Sequence, residues 1–326
     1  MNFPKFFLIT LFVLFGLIGT VFFVKTVAKK AKAPAQEVIC PEQAAQLEPV
    51  QVAQTLVKET APPVVTPVLS TISEDEQYDF PQVDRTPQLF SVTSEKLPFV
   101  ETITYTTRTA WLKGRPAWIS DYASHFQTSK HFIARSVNGK ADYRLGEVSS
   151  GKKFNVFSAD KKIKFHLLVD RTLRKMGLYC IDLETQERIL LKTYRVCLGR
   201  PTATDFLTPI GTFSLGNKVA IYKPGVTGFF QDNEIEMLSV FGSRWIPMDH
   251  EQIKGLGIHG MPWVYNEGSG EWREDRGTIG QYESDGCIRL VSEDIEEIFS
   301  IVITKPTNLE IVTDFRKAQL PGVERL

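Results

Sequence analysis

Cysteine is scarce in this chain: four in 326 residues, at Cys40, Cys180, Cys197 and Cys287. They follow no disulfide-framework spacing, so stability has to come from a packed core. With 43% hydrophobic residues the chain can build one substantial core plus a smaller module. Net charge is lacking too. Lys and Arg number 38 against 38 Asp and Glu, which implies no polyanionic partner and argues against nucleic acid. No metal and no cofactor is expected.

Long apolar runs are absent, with one exception. Phe6 to Val24 is uncharged over about nineteen residues, roughly one hydrocarbon thickness at about 1.5 Å per residue. Within 1–32 it reads as an uncleaved membrane anchor, because Lys25, Thr26 and Val27 follow it in place of a small-x-small cleavage site. A cleaved signal sequence is the competing reading. Lys25, Lys29, Lys30 and Lys32 after the run, against Lys5 before it, would by themselves keep the C-terminal part in the cytoplasm.

Residues 33–96 are rich in Pro, Gln, Glu, Val and Thr and show no sustained period of 3.6 or 2. Such a stretch buries too little apolar surface to offset its ordering entropy, and it reads as a disordered linker or tether. Residues 97–160 follow with helical spacing at Ile119, Tyr122, Ala123 and Phe126, then Phe132 and Ile133, and end in a short strand at Phe154 to Val156. This order resembles a LysM-type glycan-binding module. The alternative is a small helical subdomain packed on the domain that follows, and an exposed Trp111 or Trp118 would favour sugar stacking.

From residue 161 to 326 the period changes to 2. Ile163, Phe165, Leu167 and Val169 alternate with Lys164, His166 and Asp170, and strand-like runs at Met176 to Leu183 and Arg188 to Leu198 flank a polar turn. A meander of half-buried antiparallel strands is expected, with Cys180 roughly opposite Leu191 and too far from Cys197 for a bridge. Ser292 is placed to cap a short helix that buries Ile295, Ile298, Phe299 and Val302, and Glu293 and Asp294 suit its positive end. A strand at Leu309 to Val312 closes a fold that is mainly β with a small α part.

Chemistry concentrates at Ser284-Asp285-Gly286-Cys287-Ile288-Arg289-Leu290. A cysteine in a glycine-loosened turn with an arginine two places on points to acyl transfer through a thiol. Gly257-Ile258-His259-Gly260 upstream offers the imidazole that such a thiol needs to become thiolate. Cys287 and His259 are therefore the candidate catalytic residues; the bland alternative for Cys287 is a small buried hydrophobe. His125, His131, His166 and His250 are left outside the chemistry.

These blocks, with Thr208-Pro209-Ile210-Gly211-Thr212-Phe213 before them, resemble the YkuD-type L,D-transpeptidase catalytic domain of bacterial cell-wall enzymes over roughly 162–315. Two departures stand out: Asp285 where that family usually has a second histidine, and a long insert from Met261 to Glu283. The resemblance implies a β-sandwich catalytic domain and a cysteine thioester mechanism that makes 3-3 cross-links between peptidoglycan stem peptides. It also implies a bacterial inner-membrane protein with its catalytic domain in the periplasm. Gly286, Ser284 and Gly260 become candidates for oxyanion or substrate contacts, with Gly286 and Cys287 offering backbone N–H groups, and Arg289 for a stem-peptide carboxylate. Asp285 is left as either a support for the His259 imidazolium or a solvated rim residue. An L,D-carboxypeptidase, a transferase to a protein amine and a non-catalytic wall-binding protein are the alternatives.

Overall fold

The computed structural model describes residues 79–325, apart from 141–142, 202–205 and 252. The anchor or signal sequence and the linker up to residue 78, with Cys40, lie outside the described residues. Among the described residues no helix is long and apolar enough to cross a membrane.

The linker expectation extends too far. From Asp79 the chain is folded: Phe80 is buried, and α1 (Thr86–Phe90), opened by Pro87, buries Leu89 and Phe90. Composition averaged over the segment hides these few apolar anchors. Each fills a site built by residues far away in sequence, as Phe80 does where it lies over Gly177.

Between 97 and 160, β1 (Val100–Thr104) pairs antiparallel with β2 (Lys153–Phe157) around two helices, α2 (Ile119–His125) and α3 (Lys130–Asn138). Ser129 caps α3 by accepting from the Phe132 N–H at 2.9 Å, and Gly139 ends it in the left-handed region at φ 71°. Tyr122, Ile133, Phe154 and Val156 form a small core of this unit. The opposite side, with Phe99, Phe132 and Phe157, joins the main core instead. The Arg135–Glu297 ion pair at 2.9 Å and a bond from the Ser129 hydroxyl to the Ser300 carbonyl at 2.5 Å fasten the unit to the domain beyond.

That domain combines one long curled main sheet with smaller two-stranded sheets. Its strands are β3 (Ile163–Asp170), β4 (Lys175–Asp182), β5 (Glu187–Arg195), β6 (Leu198–Gly199), β7 (Gly211–Leu215), β8 (Ala220–Ile221), β9 (Thr227–Phe230), β10 (Asn233–Glu236), β11 (Arg244–Asp249), β12 (Gly257–Gly260), β13 (Trp263–Asn266), β14 (Glu271–Glu274), β15 (Tyr282–Ser284), β16 (Ile288–Leu290), β17 (Thr307–Val312) and β18 (Val323–Glu324). The main sheet runs β16-β12-β11-β7-β17-β3-β4-β5-β18, with β8 on β11. Two helices are added, α4 (Leu238–Phe241) and α5 (Ser292–Val302). One apolar cluster takes Leu167, Leu178, Ile246, Ile258, Ile288 and Leu309 from across the sheet and Ile295, Ile298 and Phe299 from α5, so the sheet must curl around that helix.

The expected meander is there as β3-β4-β5, but not as half-buried strands. Phe80 and the 312–320 segment cover the outer face, where Leu168, Tyr179 and Leu190 are buried. His166, expected on a polar face, is 3% exposed and bonds Glu310 at 3.0 Å. The turn between β4 and β5 sets Ile181 opposite Arg188 and so Cys180 opposite Ile189 instead of Leu191, and a bulge follows between Tyr179 and Leu178. Cys180 and Cys197 are buried free thiols. Ser292 does not cap α5 either. Val291 holds the N-cap position, and Glu274 Oε1 takes the Ser292 N–H at 2.6 Å.

Candidate active site

Two strand pairs deliver the candidate residues. β12 lies parallel to β16 with Ile258 beside Ile288 and His259 beside Arg289. Ile258, Ile288 and Leu290 point into the core, so His259, Cys287 and Arg289 alternate onto the opposite face. β15 lies parallel to β6, and the turn from Ser284 to Cys287 links β15 to β16.

Ser284 holds that turn. Fully buried, its hydroxyl donates to the Cys287 carbonyl at 2.6 Å and accepts from the Gly286 N–H at 3.2 Å. Gly286 sits at φ 104°, a conformation that favours glycine. Gly199 of β6 presses against it: a side chain there would begin 1.9 Å from the Phe206 carbonyl and 2.9 Å from Gly286 Cα. The Gly199 N–H donates to Thr208 Oγ1 at 2.8 Å, and Arg171 Nη1 donates to the Thr208 carbonyl at 2.9 Å. The Thr208 to Phe213 block thus braces the strand beneath the turn.

His259 is 2% exposed, with the rings of Phe241 and Trp245 centred 5.4 and 5.7 Å from its own. Its Nδ1 lies 2.8 Å from the Gly260 carbonyl. A carbonyl only accepts, so Nδ1 carries the proton and Nε2 the lone pair. Burial, with the nearby Arg289 cation, drives the imidazole pKa down to about 3, against the pull of the Gly260 and Phe241 backbone. Cys287 keeps a narrow exposed rim, yet burial pushes its thiol up to about 11. The Gly257 backbone and Arg289 oppose that shift and the Asp285 charge adds to it. The pair therefore rests as neutral thiol and neutral imidazole, not as the expected thiolate.

The other expected site residues have partners of their own. The Gly286 N–H already serves Ser284, so it is not a spare oxyanion donor. Gly260 orients the imidazole through its carbonyl. Arg289 donates from Nη1 to the Glu283 carbonyl at 3.2 Å, while its buried Nε has no protein partner. Asp285 pairs with Arg200, a residue without a sequence motif of its own, whose backbone N–H is fixed to the Ser284 carbonyl at 3.0 Å. Phe241 and Trp245, the rings around His259, likewise belong to no sequence motif. The only hint was their place among apolar residues in the segment before Gly257-Ile258-His259-Gly260.

The 261–283 insert is a hairpin of β13 and β14 followed by a turn region, packed through Trp263 and Trp272 on Tyr222, Met237, Leu238 and Phe241. Glu274 and the Arg276–Glu293 pair at 2.6 Å tie it to the start of α5. Among the described residues no group of three or more His, Cys, Asp or Glu is placed to hold a metal.

Residues 164–311 match the family model described as the L,D-transpeptidase catalytic domain, YkuD. Similar solved structures include Bd1075 of Bdellovibrio bacteriovorus, at 17% identity and TM-score 0.32, covering 46% of this chain and 48% of that one. The helical cell shape determining protein Pgp2 of Campylobacter jejuni is 18% identical at TM-score 0.33, covering 49% and 50%. L,D-transpeptidase 1 of Mycobacterium tuberculosis is 13% identical at TM-score 0.25, covering 50% and 69%. The chain spans about half the length of the first two. No curated protein matches. Cys287, His259 and the turn that carries them all fall inside the matched span, and residues 164–311 are a YkuD-type L,D-transpeptidase catalytic domain.

Proposed function

We propose that this protein is a cysteine acyltransferase of peptidoglycan, an L,D-transpeptidase that joins stem peptides by 3-3 cross-links. One observation carries the reading. Cys287 stands on a turn braced by Ser284, beside the strand that carries a buried His259 whose Nδ1 is fixed by a carbonyl. Nε2 of His259 takes the Cys287 proton as Sγ bonds to the carbonyl carbon of the third stem residue. The bond to the terminal D-residue breaks, its amine takes the proton, and a thioester remains. An acceptor amine then attacks the thioester and returns the proton to sulfur. A neutral pair suits this order, because charge develops only as the S–C bond forms. Arg289 beside both groups then stabilises the developing negative charge. Of the two backbone donors expected for the oxyanion, the Cys287 N–H is the one the proposal retains.

The same reading places Phe6–Val24 as an inner-membrane anchor with the domain in the periplasm, and gives residues 97–160 a glycan-facing role. The second point draws support from Trp118, 66% exposed, on a turn where Arg115 grips Asp121 with two bonds of 2.6 and 2.7 Å.

The test is intact-mass analysis of the full chain with purified tetrapeptide muropeptides. An acyl adduct on wild type and none on Cys287→Ala is expected, followed by cross-linked dimers. Tripeptides without dimers would replace the transpeptidase by a carboxypeptidase. An adduct that survives Cys287→Ala removes the proposal altogether.

A further inference from the structure

The Arg200 side chain pairs with Asp285 on the turn that carries the nucleophile, and its backbone N–H bonds the Ser284 carbonyl at the start of that turn. Its backbone is fixed by β6 and by the bond to the Ser284 carbonyl, so Cα position is set by the same turn that sets Cys287. The guanidinium stacks over Phe206 at 5.1 Å and pairs through Nη2 with Asp285, two residues before Cys287. Its Nε is buried and has no protein partner. Arg200 and Asp285 are 40% and 48% exposed, so solvent, and hence a ligand, reaches the pair.

A planar guanidinium that is 40% exposed, stacked on a ring and engaged by a single carboxylate oxygen is suited to a carboxylate that arrives from solution. Asp285 supplies one in its absence. An exposed pair of this kind is weak, so an incoming carboxylate can displace it. Arg289 lies beside the same turn on β16, bonded to the Glu283 carbonyl. The turn therefore presents two guanidinium groups.

We infer that Arg200 is a specificity-determining residue that binds a carboxylate of the peptide substrate, with Asp285 as the internal stand-in which that carboxylate displaces. This rests on the proposed function for the identity of the peptide, but not on turnover. Binding of a tetrapeptide muropeptide, with its carboxylates free or converted to amides, is measured by calorimetry on full-chain Cys287→Ala, with and without Arg200→Gln or Asp285→Asn. Arg200→Gln should weaken binding of the free acid about five- to tenfold, the range of a screened charge-assisted bond, and should shrink the penalty of amidation by the same factor. Asp285→Asn should tighten binding by about two- to fivefold, because it removes the competitor.

Equal affinity of the Arg200→Gln protein and its parent, an undiminished amidation penalty, or no binding by the parent overturns the assignment. Weaker or unchanged binding in Asp285→Asn, a variant that leaves Arg200 intact, overturns the displacement. Intact-mass acylation of the Cys287 protein is scored separately. Arg200-dependent binding without acylation rejects the acyltransferase and keeps the carboxylate site. Acylation with binding indifferent to Arg200 does the reverse.

Discussion

Replacing Arg289 by glutamine should move the two candidate reactive groups in the same direction, upward, and so make the thiol worse and the imidazole better. In wild type, Cys287 at about 11 leaves roughly one thiol in a thousand ionised at pH 8, where a thiol at the ordinary 9.0 is about one-tenth ionised. Alkylation by iodoacetamide should therefore climb about tenfold per pH unit with no plateau below about pH 10. Arg289 lowers both pKa values. A nearby charge shifts a buried group by about 1–3 units, and a guanidinium that keeps contact with solvent belongs at the low end. Arg289→Gln should thus slow alkylation about tenfold at fixed pH. His259 should rise from about 3 by a similar step. Asp285→Asn works the other way on the thiol but only about two- to threefold, since the Arg200 charge already offsets much of the Asp285 field. A Cys40→Ser background leaves only the buried Cys180 and Cys197 as other thiols, and intact mass reports the rate at each pH. An alkylation plateau in wild type between pH 7 and 8, or faster alkylation in Arg289→Gln, would refute the neutral pair.

Three further outcomes are expected. Burial, then Arg244, Lys130 and Lys223, hold His131 down to about 4, whereas the unfolded chain binds that proton near 6.5. This share of stability is whole above pH 6.5 and declines as pH falls towards 4. His131→Phe should cut the loss between pH 7 and 5 by about 1–2 kcal/mol in urea titrations; an unchanged loss would remove His131 as a cause. Arg135→Met strips one partner from buried Glu297, which keeps Lys192 at 2.8 Å and the Tyr194 hydroxyl at 2.9 Å. The cost should be about 2–3 kcal/mol in denaturant, near the lower end for a broken buried pair, and a cost under about 1 kcal/mol would mean those partners suffice. Ser284→Ala leaves the Gly286 N–H without its acceptor and should cost about 1–2 kcal/mol while slowing acylation much more than it shifts the melting midpoint. Parallel changes in rate and stability would make Ser284 structural only.

What was legible in the sequence, and what was not, divides along the range of the interaction. The Ile163 to Val169 alternation marks β3, and the Ile295, Ile298, Phe299 and Val302 spacing marks α5, because each pattern is local. The depth of β3 was not, since the cover on its outer face comes from Phe80 on one side of the chain and 312–320 on the other. The register opposite Cys180 depends on how the chain turns between Asp182 and Glu187, which sets Ile181 opposite Arg188 and which the strand residues do not announce.

The candidate site divides in the same way. Cys287, Gly286, Ser284 and His259 declare themselves by local order, and the structure sets the first three on the turn that leads into β16, the strand beside the one that carries His259. Their ionisation does not follow from that order, because a histidine near a cysteine is equally compatible with an ion pair and with two neutral groups. Phe241 and Trp245 decide between these by removing water from His259. For Asp285, the departure from the family pattern, the sequence leaves two roles open, support of His259 or solvation of the rim. The parallel pairing of β15 with β6 carries Arg200 to it across 85 positions of sequence, and the carboxylate pairs with that permanently charged partner. An imidazole that stays neutral until pH falls to about 3 offers Asp285 no cation to hold at neutral pH. The residue that departs from the family pattern is thus better explained by the charge of Arg200 than by the chemistry of His259.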